Sequence, residues 1–163
     1  MDAVEPLQMP PMVLYQGKTH AFLLAWRRGT DQWEGRLAVP QSQLDVRGEP
    51  VHGLNYRWAP AGELNKLPRV DYSAVPRPGP GEPDPQPLRM PPMVLVKGGD
   101  PAFLLAWRAY TEEGRRGWEG FLAVPPGSAA QGGDVVHVRV GAGAITKLPE
   151  VDYSEVPAPA RPA

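Results

Sequence analysis

Two Asp-Tyr-Ser triplets, Asp71-Tyr72-Ser73 and Asp152-Tyr153-Ser154, place a carboxylate, a phenol and a hydroxyl side by side in this 163-residue chain. A nucleophilic serine needs a base within hydrogen-bond reach. The nearest histidine to the first triplet is His52, and where the first half of the chain has His20 the second has Pro101. The triplets therefore read as structural latches, turns in which Asp and Ser bond local amides, with Tyr72 and Tyr153 kept as candidates for partner contact. His52 and His137 each follow a valine and read as equivalent, exposed strand-edge residues, because no carboxylates or further histidines flank them at metal-ligand spacing. Glu34 and Glu119 read as solvated charges on an outer strand face. "GAGA" after Val140 lacks the lysine and following helix of a phosphate-cradling loop. With no cysteine in the chain, thiolate chemistry is absent. The expectation is a chain with no catalytic residue, no metal site and no cofactor, and hence not an enzyme.

Aromatic side chains carry the remaining signal. Seven of the 13 lie between Met9 and Pro76. Trp26 and Trp107 stand in strongly apolar runs and read as core. Trp33 and Trp118 each begin a strand beside a loop and precede a Glu-Gly step, so core and binding platform both fit. Gly35 and Gly120 would leave a gap there for a flat ring or for a ligand backbone. Tyr15, Tyr56 and Trp58 align with Val96, Val138 and Val140, which favours burial. Were these rings exposed, they would form an aromatic pocket in the first half of the chain only, able to stack a base or hold a cation. Arg36 and Arg57 are kept as candidate binding residues, within a set of arginines that includes Arg27, Arg28, Arg47 and Arg69 and could gather as a basic patch.

These residues sit on a duplicated framework. "MPPMVLYQGKTHAFLLAWRR" from Met9 returns from Met90 with 14 of 20 positions identical, "WEGRLAVP" from Trp33 returns from Trp118 with seven of eight, and "KLPRVDYSAVP" from Lys66 returns from Lys147 with nine of eleven. The second copy gains four residues between the first two blocks and loses four before the last, differences that read as loops. Repeat 1 spans 9–76 and repeat 2 spans 90–157. Between them, 77–89 holds five prolines in 13 residues and almost nothing apolar, so it reads as an extended spacer excluded from any core. Residues 158–163 read as a loose tail.

The 22 prolines and 18 glycines among 163 residues exclude long helices. In repeat 1, "MVLY" supplies one strand, and "AFLLAWR" a second in which Phe22, Leu24 and Trp26 share a face opposite Leu23 and Ala25. "WEGRLAVP" returns antiparallel to it and ends at Pro40. A fourth strand turns Tyr56 and Trp58 inward in repeat 1, and Val136, Val138 and Val140 inward in repeat 2. The last block suits a 3₁₀ turn or an edge strand.

Four or five short strands in 68 residues, and an aromatic-then-small turn into "WEG.LAVP", resemble the SH3-like small barrels, including Tudor- and chromo-type modules. The resemblance implies an all-β chain of two tandem SH3-like antiparallel barrels related by internal duplication. The acidic loop and "ALYDY"-like stretch of peptide-binding SH3 domains are absent, so proline-rich ligands are not implied. The leading expectation is a non-enzymatic adaptor or assembly module that binds a protein partner bivalently, since two linked weak sites gain avidity. Nucleic-acid binding through repeat 1 is the alternative, and self-association is left open. Repeat 1 holds eight basic and six acidic residues, net +2, and repeat 2 six and eight, net −2, which is little for a dedicated nucleic-acid binder. No apolar run approaches the roughly 18 residues that span a bilayer, and the N-terminal residues lack the pattern of a signal peptide. No membrane partner is expected, and the chain reads as cytoplasmic.

Overall fold

A computed structural model describes residues 4–97, 99–125, 135–149 and 151–159. The described chain is all-β, with two five-stranded antiparallel sheets of the same order. The first contains β1 (Met12–Tyr15), β2 (Thr19–Arg28), β3 (Trp33–Leu44), β4 (Pro50–Pro60) and β5 (Leu64–Lys66). Its order is β4-β3-β2-β1-β5, a meander whose last strand returns beside the first. The second contains β6 (Met93–Val96), β7 (Asp100–Glu112), β8 (Arg115–Val124), β9 (Val136–Gly141) and β10 (Ile145–Lys147), in the order β10-β6-β7-β8-β9. A 3₁₀ turn, Ala61–Glu63 or Ala142–Ala144, precedes each last strand. No helix among the described residues is long and apolar enough to cross a membrane. The described residues divide into two compact units. One is Pro10–Met90; the other combines residues 4–9 with the second repeat from Pro91 onward.

In β2, strict alternation fails at one residue. Phe22 pairs with Ala38 and Leu23 with Leu37, but the next partner of β3 faces Ala25, so Leu24 is a bulge. The extra residue exchanges the faces beyond it. Leu23 and Trp26, expected on opposite faces, therefore join one cluster with Val13, Ala21, Leu37, Val39, Ala59 and Val75. The bulge recurs between Leu104 and Ala106, and Leu104 packs with Val94, Ala102, Leu122 and Val156.

Other strand boundaries also differ from the sequence reading. β3 does not stop at Pro40, which pairs with Leu54 of β4. Pairing with β2 ends at Ala38, so the proline lies where only one neighbour runs alongside, and its missing N–H costs no second ladder. The four residues gained in repeat 2 make strand rather than loop. In repeat 1 the β2–β3 ladder closes at Arg28↔Trp33 over four residues. In repeat 2 it runs three pairs further, from Ala109↔Trp118 to Glu112↔Arg115. There Glu113 (φ 50°) and Gly114 (φ 77°) supply the two positive φ values of a tight hairpin turn. The four-residue loss falls outside the described residues.

The spacer bends in a turn where Glu82 N–H donates to the Gly79 carbonyl at 3.1 Å and Gly81 has φ 76°, and it is not excluded from packing, since Pro78 is buried. Leu88 lies against the repeat 1 cluster, and its N–H donates to the Leu24 carbonyl at 2.9 Å. The bulge explains this, because a residue displaced from the ladder leaves its carbonyl for another strand.

Candidate binding site

The β3–β4 register decides which candidate residues meet. Leu37 pairs with Arg57 and Gly35 with Ala59, while Arg36 pairs with Trp58 and Ala38 with Tyr56. Directly paired residues share a face. Arg57 is thus on the cluster side, and Tyr56 and Trp58 are on the other side, contrary to the inward orientation read from the sequence. The same register in repeat 2 pairs Phe121 with Arg139 and Ala123 with His137. Tyr56 is therefore the counterpart of His137, and Trp58 that of Arg139, not of Val138 and Val140. A shift of one residue in an alignment moves every side chain to the opposite face. His52, which pairs with Ser42, is not the equivalent of His137. Val136, expected inward, is 59% exposed.

On this second face of the first sheet, cations and rings alternate. The Arg27 guanidinium lies 4.1 Å from the Trp58 ring centroid, while its Nε donates to Glu34 Oε1 at 2.7 Å. Arg36 lies 5.7 Å from the Trp58 centroid and 5.6 Å from that of Tyr56. Each interaction of this kind is worth about 0.5–1 kcal/mol when exposed and about 2 when desolvated. Glu34 is thus an ion-pair partner that orients Arg27, not merely a solvated charge. Burial grades across the face. Phe22, Ala25 and Ala38 are buried, Arg36 and Trp58 are half-buried, and Tyr56 at the β4 margin is 47% exposed. Burial pushes the Tyr56 phenol above its usual range and the Arg36 charge opposes that shift, so the hydroxyl is a neutral donor at physiological pH. Beside it lies an open cleft of about 480 Å³ lined by Leu24, Arg36, Tyr56 and residues 86–90.

The other candidates lie elsewhere. Arg57 sits over the Tyr15 ring at 5.7 Å. Trp33 packs against the core cluster, with Arg28 at 4.8 Å and Arg77 at 5.7 Å from its ring centroid. Trp118, opposite Ala109, is 37% exposed. The gap expected beside Gly35 is filled. A Cβ there would meet Leu64 at 2.6 Å, Leu23 at 2.8 Å and the Trp26 ring at 3.4 Å, and at Gly120 it would meet Ile145 at 2.5 Å. These glycines admit core side chains, not a ligand backbone.

Tyr72 and Tyr153 form the latch. The Tyr153 hydroxyl donates to the Met93 carbonyl at 2.5 Å and accepts from Leu148 N–H at 2.8 Å. The Tyr72 hydroxyl likewise donates to the Met12 carbonyl and accepts from Leu67 N–H. Asp71 and Asp152 accept from the amides of Ser73 and Ser154, each at 2.9 Å, and the bond from the Ser73 amide holds the Asp71 carboxyl below its ordinary range. Both phenols are therefore committed to joining the last block to the first strand.

The histidines stand apart. His52 Nδ1 is 2.6 Å from Ser42 Oγ, His137 stacks on Phe121 at 5.4 Å, and His20 pairs across β1 with Leu14. Among the described residues no three His, Asp or Glu side chains gather as a metal site would require. The structure thus unites Arg36, Tyr56 and Trp58 and separates Arg57, Trp33, Trp118, Tyr72 and Tyr153 from them. It adds Arg27 and Glu34, whose signal in the sequence was their position facing each other across the hairpin. Compared with protein-family models, curated proteins and solved structures, the chain matches none.

Proposed function

We propose that the chain is a non-enzymatic interaction module of two SH3-like barrels, and that the Arg27–Trp58–Arg36–Tyr56 face of repeat 1 binds a protein partner. The barrel reading is supported by five antiparallel strands in each repeat, with the last returning beside the first. Binding is supported above all by the alternation of guanidinium and ring on one margin. Trp, Tyr and Arg dominate the energetics of protein interfaces, and here the rings are held in place before a partner arrives. An extended segment carrying a carboxylate and an apolar or proline side chain suits this chemistry, with the carboxylate on Arg36 and the apolar group on the rings. The counterpart face of repeat 2 carries Phe121, His137 and Arg139, so the two faces offer different chemistry and the expected bivalence between like sites has no support in them. Nucleic acid is the second reading, because arginine and aromatic side chains also stack bases.

A displayed peptide library selected on the intact chain, followed by titration of the enriched peptides, tests the proposal. Trp58→Ala is expected to weaken them at least tenfold while Arg139→Ala leaves them unchanged. Equal affinity for all three proteins would overturn it. A 20-nucleotide oligothymidine run in parallel separates the readings: retention that falls steeply from 50 to 200 mM salt and requires Trp58 would move the assignment to nucleic acid.

A further inference from the structure

The duplication extends three residues further toward the N-terminus than the blocks that first reveal it, since Pro6-Leu7-Gln8-Met9-Pro10-Pro11 corresponds to Pro87-Leu88-Arg89-Met90-Pro91-Pro92. Each hexapeptide is an arm, and each is held in the same way. Leu88 N–H donates to the carbonyl of the bulge residue Leu24, and Leu7 N–H donates to that of Leu105, both at 2.9 Å. Leu88 packs on the first core cluster and Leu7 on the second. In both arms burial follows one pattern, with Leu and Met half-buried, the residue between them exposed and the next proline buried. Yet each arm belongs to the unit other than that of the repeat it precedes: the units divide between Met9 and Pro10 and again between Met90 and Pro91.

The paired prolines account for this. Proline fixes φ and disfavours helical or turning geometry at the residue before it, so Met-Pro-Pro is a stiff, extended hinge. Pro11 is already anchored, its carbonyl accepting from Leu23 N–H at 2.8 Å, and Pro92 accepts from Leu104 in the same way at 2.9 Å. An arm leaving such an anchor in extended geometry is carried away from its own bulge. Each repeat therefore offers a bulge site that another repeat's arm must fill.

We propose that the Leu105 bulge of repeat 2 is a binding site for an extended Pro-Leu-x-Met-Pro segment, and that its occupant in trans is the same arm of a second copy of this chain. Exchange of an identical element is a low-cost route to a dimer, because the hydrogen bond and packing given up within one chain are re-formed between two. This site shares no residue with the face proposed for the partner, so either can fail alone.

Native mass spectrometry of the intact chain over a range of concentrations, with a labelled peptide of residues 4–11, tests the proposal. A dimer that grows with concentration and is reduced at least tenfold by Leu7→Asp is expected, as is saturable binding of the peptide to the Leu7→Asp chain at least tenfold tighter than to the intact chain. A Leu7→Asp peptide should not bind. A chain monomeric at every concentration, a dimer indifferent to Leu7→Asp, or equal binding of the two peptides would overturn it. Should Leu7→Asp unfold repeat 2, Leu7→Ala replaces it, read in the same way.

Discussion

The two sheets place Leu23 and Leu104, Trp26 and Trp107, Gly35 and Gly120, and Leu37 and Leu122 at the same register positions on their cluster faces. On the opposite faces Phe22 and Phe103, Ala38 and Ala123, and the pairs Arg27–Glu34 and Arg108–Glu119 also agree. The divergence is concentrated at the margin, where Arg36 and Trp58 stand in place of Phe121 and Arg139, and Tyr56 in place of His137. The cluster positions are bound by packing, where even a methyl group is felt. The β3–β4 margin carries no such constraint, so its chemistry could change without loss of the fold. Function is to be sought where the repeats differ, and stability where they agree.

The largest expected difference lies at the paired tryptophans. Trp33→Ala removes a ring packed on the core cluster between two arginines and should cost about 3 kcal/mol. Trp118→Ala should cost less than about 1 kcal/mol, as at exposed positions. Thermal melts of both variants would show this, and equal losses would mean that the two rings are held alike. The latches should behave as one device. Tyr72→Phe and Tyr153→Phe each strand a backbone amide and a carbonyl, for about 1–3 kcal/mol apiece, and denaturant melts that separate the two by more than about 2 kcal/mol would break the equivalence.

Smaller still is an acid sensitivity confined to repeat 1. Burial lowers the His20 pKa from its ordinary 6.5, and its Nε2 has no hydrogen-bond partner among the described residues. Below pH 6.5 the unfolded chain takes up this proton before the folded one does. Its contribution is therefore complete above the unfolded value and is lost as pH falls through the folded one. Repeat 2 has Pro101 at this position. His20→Leu should flatten the fall of melting temperature between pH 7 and pH 5, and an unchanged slope would remove His20 as its source.

How much of this could be read from the residues alone depended on where period-two alternation holds. The repeats, the β class and the β2–β3 hairpin followed from repeated blocks and apolar runs. The faces did not. The Leu24 bulge inserts one residue that no residue type announces, and it carries Trp26 to the side of Leu23. The fourth strand of repeat 1, "GLNYRWAP", has apolar residues on both faces, so its register is set only by pairing with β3. That single ambiguity placed Tyr56 and Trp58 inward and matched them to the wrong partners. The latch was legible as a local turn through Asp71 and Ser73. The reach of Tyr72 to Met12, 60 residues away, was not, because a long-range interaction leaves no periodic trace. Leu88 leaves no signal either, because proline density dominates its segment, although one leucine beside a bulge is enough to dock it.

The central claim is that the margin of β3 and β4 gives repeat 1 a binding face that repeat 2 lacks, and an exchange of those residues between the sheets tests it most directly. Arg36→Phe, Tyr56→His and Trp58→Arg together write the second face onto the first sheet. Phe121→Arg, His137→Tyr and Arg139→Trp do the reverse. Peptides selected on the intact chain should lose at least tenfold in affinity for the first triple variant, and regain it when both sets are combined, with circular dichroism unchanged throughout. Undiminished binding to a folded first variant would contradict the account.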